Sequence, residues 1–369
     1  MFIYLIIIII ILYIYINLII NDNTNNDTLL YKHNINYNVN TYKCPWLLKQ
    51  PILNTILTNR YFYYFNYNYF IQYNKYIKNE HINYNNGDFL LEWLFNKKNK
   101  PIIIFGPTID PYPTYNIYRY YLMLYLYKKR DFNIVNIDFR GYSHDLLDHK
   151  TFYETGLDDT NFIINYIISK HPNNNIYLCG FSLSGCVFAN VLKKYNYNNN
   201  IKGLILLSSP INTNEISSQS NNKYFNYSEK MLLYHIRLYF NKNILALDHP
   251  LLRKKNKKNI LNMKSFNDFF INYIKPIHNN KYMTIDDWSN DHDLMRILKY
   301  INIPTLIIHS FDDFIYGYDD NTLNIISKNK NISYIITKNG GHNGYLTNNK
   351  KLYYRNYVLN FIISIENNN

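Results

Sequence analysis

The chain has 369 residues, 47% of them apolar, enough for one large α/β domain or two small ones around a real core. Its formal net charge of +13 reads as lysine enrichment of a solvated surface. The densest basic run, Arg253-Lys254-Lys255-Asn256-Lys257-Lys258, lies in a polar stretch read as a loop with no interleaved aromatics, which excludes a nucleic-acid function.

The first segment, MFIYLIIIIIILYIYINLII at 1–20, is apolar except for Asn17 and long enough to span a bilayer as a helix. No basic residue precedes it and no small-residue cleavage pattern follows, so it is expected to be an uncleaved single-pass anchor. That places the protein at a membrane, with the membrane itself as a partner. Residues 21–43 are Asn-rich and polar and read as a linker. The folded domain is expected over 44–366, from Cys44-Pro45-Trp46 onward.

Tyr, Asn and Ile occur in runs such as YFYYFNYNYF at 61–70, which blunts periodicity arguments. Short apolar segments still stand out. GDFLLEWLF at 87–95 reads as a turn and a strand, PIIIF at 101–105 and FNIVNIDF at 132–139 as strands, with a helix around 115–129 between them. A helix is expected over 158–169, with Asp158 and Asp159 in its first turn. IYLCGF at 176–181, a helix over 183–194 and the strand GLILLSS at 203–209 follow. The alternation breaks at 211 and resumes near 301 with PTLIIHS at 304–310, ISYIITK at 332–338 and a closing helix at 352–363. Strands apolar on both faces, alternating with helices, predict an α/β fold: a mostly parallel central sheet covered by helices, with a helical, lid-like insertion over 211–300.

The chemistry gathers at strand ends. GFSLSG at 180–185 sits between a strand and a helix, the context in which a strained turn exposes a nucleophilic serine. Asp312-Asp313 ends one later strand and Gly340-Gly341-His342 follows the next. Ser, Asp, His is the chain order of one triad class. In that reading Ser182 attacks an acyl carbonyl, His342 carries the proton, and Asp312 or Asp313 orients the imidazole. His309 lies inside an apolar strand and reads as a core histidine. Cys44, Cys179 and Cys186 show neither a disulfide framework nor zinc spacing, and Cys179 and Cys186 read as buried small hydrophobes. No cofactor and no metal are expected.

Seven stretches, in order, resemble the YheT-type branch of the α/β-hydrolase superfamily. WLLKQPILNTI at 46–56 is similar to its N/G-x-x-L-Q-T element, and NNGDFLLEWL at 85–94 to its D-G-D-x-x-x-L-D-W strand pair. IDFRGYSHD at 137–145 is similar to N-H-R-G-x-x-x-S, and YETGLDDTNFIINYI at 153–167 to a Y-x-x-G-D-T-x-D helix start. GFSLSG resembles G-F-S-L-G-G, PTLIIHSFDDF at 304–314 resembles P-T-L-I-x-x-A-x-D-D-P, and GGHNGYL at 340–346 resembles G-G-H-x-G-F. The resemblance implies a Ser182–Asp313–His342 triad, with Asp312 as the other carboxylate. It implies an oxyanion hole built from the N–H of Leu183 and a loop donor at the position of Pro107. Proline has no N–H, so either one donor is lost, which weakens the site, or Thr108 supplies it through its N–H or hydroxyl with the loop shifted by one residue. Ser184 stands where the family has glycine, which predicts mild crowding behind the elbow.

Branch members resemble membrane-anchored esterases and phospholipases. The implied activity is therefore hydrolysis of carboxylic esters, from short or medium acyl chains to lipids. FNDFFINYI at 266–274 and MLLYHIRLYF at 231–240 are candidates to line an acyl pocket or face a bilayer, or to pack as lid helices on the core. A tethered scaffold with a degenerate site and an acyltransferase on the same fold are the alternatives. The oligomeric state stays open.

Overall fold

The computed structural model describes residues 28–32, 42–65, 67–95, 98–110, 117–130, 132–195, 197, 199–211, 225–315 and 320–368. Nine strands form one mixed sheet: β1 (Thr28–Lys32), β2 (Lys78–Tyr84), β3 (Gly87–Leu94), β4 (Ile102–Phe105), β5 (Asn133–Asn136), β6 (Ile176–Phe181), β7 (Ile201–Leu207), β8 (Thr305–Ser310) and β9 (Ile332–Thr337). Their order across the sheet is β1-β9-β8-β7-β6-β4-β5-β3-β2. From β5 through β4, β6, β7 and β8 to β9 every pairing is parallel. These are the strands with apolar residues on both faces, and they are buried from end to end except Lys202 in β7.

The two sheet faces divide the core by the two-residue period of a strand. Ile104, Val135, Leu178, Leu206 and Ile307 belong to one cluster, and Ile103, Ile134, Cys179, Ile205 and Ile308 to the other. Helices α1 (Pro51–Phe65), α2 (Tyr67–Tyr76) and α3 (Ile117–Arg130) contribute to the second cluster together with the closing helix Arg355–Asn368. Helices α4 (Phe152–Lys170), α5 (Leu183–Lys194) and α6 (Phe225–Lys242) contribute to the first. Between β7 and β8, helical segments occupy 225–298, and residues 212–224 lie outside the described ones.

The transmembrane helix expected over 1–20 falls outside the described residues, and no helix among those described is long and apolar enough to cross a membrane. The longest of them, α4, carries Glu154, Asp158, Asp159 and Lys170, which suits a helix packed on a sheet. The same finding contradicts the single-pass membrane localisation and the membrane partner expected from that segment. The mixed sheet covered by helices does not depend on it.

The stretch read as a polar linker contains β1, which pairs antiparallel with β9. Strand β2 carries no apolar run that would mark it in the sequence, because KNEHINY buries only Ile82. It joins β3 through Asn85-Asn86, both at positive φ (47° and 60°), the backbone that a two-residue hairpin turn demands. Helix α4 starts at Phe152, six residues before the expected 158, so Asp158 and Asp159 leave its first turn. The basic run read as a loop lies mostly in a short helix, Lys254–Leu261, which buries Ile260.

Candidate active site

Strand β6 ends at Phe181, and α5 begins at Leu183, so the chain must reverse within one residue. Ser182 makes that turn at φ 50°, ψ −118°. This backbone costs a non-glycine residue about 1–3 kcal/mol and is retained at sites that need a projecting side chain. The turn is held by Ser182 N–H donating to Leu207 O at 2.9 Å and Gly185 N–H donating to Ser182 O at 3.1 Å.

Ser184 does not crowd this elbow as expected. Its hydroxyl accepts from Phe181 N–H at 2.9 Å and donates to Phe181 O at 3.0 Å, closing the turn from behind. The space it needs comes from Gly106, where an added Cβ would sit 2.5 Å from the Ser184 Cβ.

His342 follows β9 on a loop whose backbone is fixed by α1. Its N–H donates to Thr55 Oγ1 at 2.8 Å. Gly341 takes φ 56° and passes so close to the Pro51 carbonyl that a side chain there would collide with it, which is a position for glycine alone. The imidazole Nε2 lies 2.9 Å from Ser182 Oγ. On its other side Nδ1 lies 2.9 Å from Asp313 Oδ2 and 3.2 Å from Oδ1. With the proton on Nδ1, the ring donates to Asp313 and accepts from the serine hydroxyl. All three side chains are buried. Ser182, Asp313 and His342 follow β6, β8 and β9, so all three stand at the carboxyl edge of the parallel strands. Together they form a buried serine–histidine–aspartate arrangement of the kind that serine hydrolases use.

Asp312 is the carboxylate that the geometry sets aside. Its Oδ1 accepts from Gly341 N–H at 2.8 Å, so it holds the histidine loop rather than the ring. Burial pushes its carboxyl up to about 7, against the pull of the Gly341 hydrogen bond. An ordinary carboxylate sits near 3.9. The folded state therefore keeps a proton that the unfolded state releases between about pH 4 and 7, and stability is lost as pH rises through that window. Asp312→Asn is expected to flatten this loss, read as a smaller difference in Tm between pH 5 and pH 8, and to keep turnover within about tenfold. Asp313→Asn should instead lower kcat by about 10,000-fold. Equal activity losses in the two variants would contradict the assignment.

Two buried groups stand behind the site: Arg119, which no sequence signal marked, and His309, the core histidine expected from its apolar strand. Arg119 on α3 donates from Nη1 to Gly106 O at 2.9 Å, anchoring the loop after β4. His309 on β8 places Nε2 3.8 Å from Asp313 Oδ2, so it backs the carboxylate as well as filling the core. Cys179 is buried in β6, and burial pushes its thiol well above the ordinary value, which suits an inert side chain.

In front of Ser182 opens a cavity of about 570 Å³, bordered by Thr108, His342, Ile56, Ile109 and Ile315. Thr108 reaches this cavity. Pro107 lines instead a small pocket behind it, with Arg119 and Asp138. Met231, Leu232, Tyr234, His235 and Leu238 of α6 form the far wall, so MLLYHIRLYF does line the site. FNDFFINYI does not: Phe269, Phe270, Tyr273 and Ile274 are packed in the core. His235 Nδ1 stands 3.9 Å from Asp110 Oδ1, and burial pulls its imidazole below the usual value, partly offset by that carboxylate.

The chain is similar to known proteins. Residues 112–349 match the family described as alpha/beta hydrolase fold. Phospholipase ABHD3 of Bos taurus is 24% identical over 225 residues, 61% of this chain and 54% of that protein. A monoacylglycerol lipase of Saccharomyces cerevisiae is 24% identical over 232 residues, 59% of this chain and 49% of that protein. The chain thus spans about half the length of the curated relatives it matches. Among solved structures, an esterase of Pyrococcus furiosus superposes with a TM-score of 0.49 at 14% identity, covering 78% of this chain and 90% of that one.

Proposed function

The chain belongs to the alpha/beta hydrolase fold family, and from that premise we propose that it is a serine hydrolase of carboxylic esters, acting on acyl esters of lipids or of simpler alcohols. One observation carries the reading: the His342 ring bridges Ser182 Oγ and Asp313 Oδ2 at 2.9 Å on each side, beside a cavity large enough for an acyl chain. The lipase and phospholipase names of the relatives and the apolar wall of Ile56, Ile109, Ile315 and Leu238 support an acyl substrate. The seven motif stretches support placement in the YheT-type branch.

In this mechanism Ser182 Oγ attacks the ester carbonyl carbon as its proton passes to His342 Nε2, and Asp313 stabilises the imidazolium. The developing oxyanion is received by the N–H groups of Leu183 and Thr108, preorganised donors of the kind worth about 3 kcal/mol each. Collapse breaks the C–O bond, and His342 returns the proton to the departing alkoxide. Water, deprotonated by the same histidine, then releases the acid. Helix α6, as the far wall of the cavity, takes the role of a lid within the 211–300 insertion.

The test is hydrolysis of p-nitrophenyl esters of graded acyl length by the full chain. Turnover is expected, and its absence at every length in folded protein would end this reading. In the same assay Pro107→Leu should change kcat by less than about threefold, because Thr108 already holds the donor position. A rise of about tenfold or more would mean that the proline deprives the site of a donor.

A further inference from the structure

On the far edge of the sheet three groups with metal-ligand chemistry converge away from Ser182. His81 of β2 pairs opposite Leu90 of β3, and Asp88 lies two positions from Leu90, so His81 and Asp88 share one face. His81 Nδ1 is 3.3 Å from Asp88 Oδ1. The loop after β5 carries His144 across to them, with the two imidazole centroids 4.8 Å apart and their planes at 55°. One ligand atom from each of the three lies within 4.8 Å of the others. His144 Nε2 is buried and has no hydrogen-bond partner among the described residues. A buried imidazole nitrogen normally has one, and a bound cation would satisfy it.

We propose that His81, Asp88 and His144 form a binding site for a divalent transition-metal cation of the zinc class. Two imidazoles and one carboxylate favour Zn²⁺ and its first-row neighbours over Mg²⁺ or Ca²⁺, and three protein ligands leave a fourth position for water. The ligands come from three elements, so no spacing in the sequence announces them. The site is a clasp. It ties the β2–β3 hairpin at the sheet edge to the loop that leads into α4. That junction is also held by Arg140 donating to Asn85 O at 3.1 Å and Tyr84 O at 3.2 Å, by Asn86 Nδ2 donating to Asp148 Oδ2 at 3.2 Å and by Lys150 Nζ donating to Asn85 Oδ1 at 3.2 Å. Modest closure of the three side chains brings their atoms to coordination distance, and protons compete with the metal for the imidazoles, so binding weakens in acid.

The experiment titrates the chelator-treated full chain with Zn²⁺ alone at neutral pH, following bound metal by equilibrium dialysis and Tm by thermal melting. The expected result is one saturable equivalent and a Tm several degrees higher. His81→Ala and His144→Ala should each weaken that equivalent by about tenfold or more and abolish the Tm shift, while the metal-free Tm stays at the wild-type value. Mg²⁺ should produce neither effect. The proposal is overturned if wild type shows no saturable equivalent, or if the His81→Ala/His144→Ala double variant binds zinc as wild type does.

Discussion

Ser182→Ala is expected to lower kcat/KM for any ester substrate by about 10,000-fold or more, and His342→Ala by a similar factor. The two groups act as one unit. His342 Nε2 sits 2.9 Å from Ser182 Oγ, and without either partner no activated nucleophile forms. Losses in such a unit are strongly non-additive, so the double variant should be no more than a few-fold worse than either single one. Both side chains project into the cavity edge, and neither holds the elbow, whose hydrogen bonds are made by backbone and by Ser184. The variants should therefore melt within a few degrees of wild type. Losses under tenfold in folded protein, or losses that simply multiply in the double variant, would contradict a shared catalytic unit.

The second large effect is on stability. Arg140 and Asp159 form an ion pair whose side chains are only 2% and 3% exposed. Arg140 Nε donates to Asp159 Oδ2 at 2.8 Å and Nη2 to Oδ1 at 2.7 Å, a bidentate fork. The same guanidinium reaches Asn85 O at 3.1 Å and Tyr84 O at 3.2 Å. It thus joins the hairpin turn, the loop after β5 and helix α4. Removing one partner leaves the other charge buried without its counter-charge, at a cost of about 3–5 kcal/mol. Arg140→Ala and Asp159→Ala should each lower Tm by roughly 10 °C, on the scale of a few degrees per kcal/mol for a domain this large. The double variant should lose much less than the sum, because it strands no charge. Denaturant unfolding of all four proteins reads this directly. Single losses under about 1 kcal/mol would mean that water reaches the pair.

The pattern of what the sequence disclosed follows from how each feature is encoded. The parallel strands were legible because burial on both faces demands continuous apolar runs such as IIIF and IYLCGF. The edge strands β1 and β2 were not, since an edge exposed to solvent carries polar residues that read as linker. Helices α1 and α2 disappeared into the Tyr- and Asn-rich background. In α4 the first turn, FYETG, has no apolar stripe to mark it, since its packing is set by Gly156 under the Phe152 ring; only the family resemblance, with its helix start at 153–167, pointed to it. Ser182, Asp313 and His342 could be read because each sits in a turn motif directly after an apolar strand. Thr55 and Arg119 could not, because their roles are hydrogen bonds to the backbones of His342 and Gly106, contacts set by tertiary placement. The choice between Asp312 and Asp313 likewise became physical only with coordinates: adjacent carboxylates point to opposite tasks, one to Gly341 N–H and one to the His342 ring.

Reaction of the folded full chain with a fluorophosphonate probe tests whether Ser182 is an activated nucleophile, without reference to any natural substrate. The probe forms a covalent bond only with a serine whose proton a neighbouring base removes. Mass spectrometry of the digested adduct should find the label on Ser182 alone. Labelling should be absent in Ser182→Ala and His342→Ala and sharply reduced in Asp313→Asn. Folded wild-type protein that stays unlabelled, or that carries the label on another serine, would contradict the account.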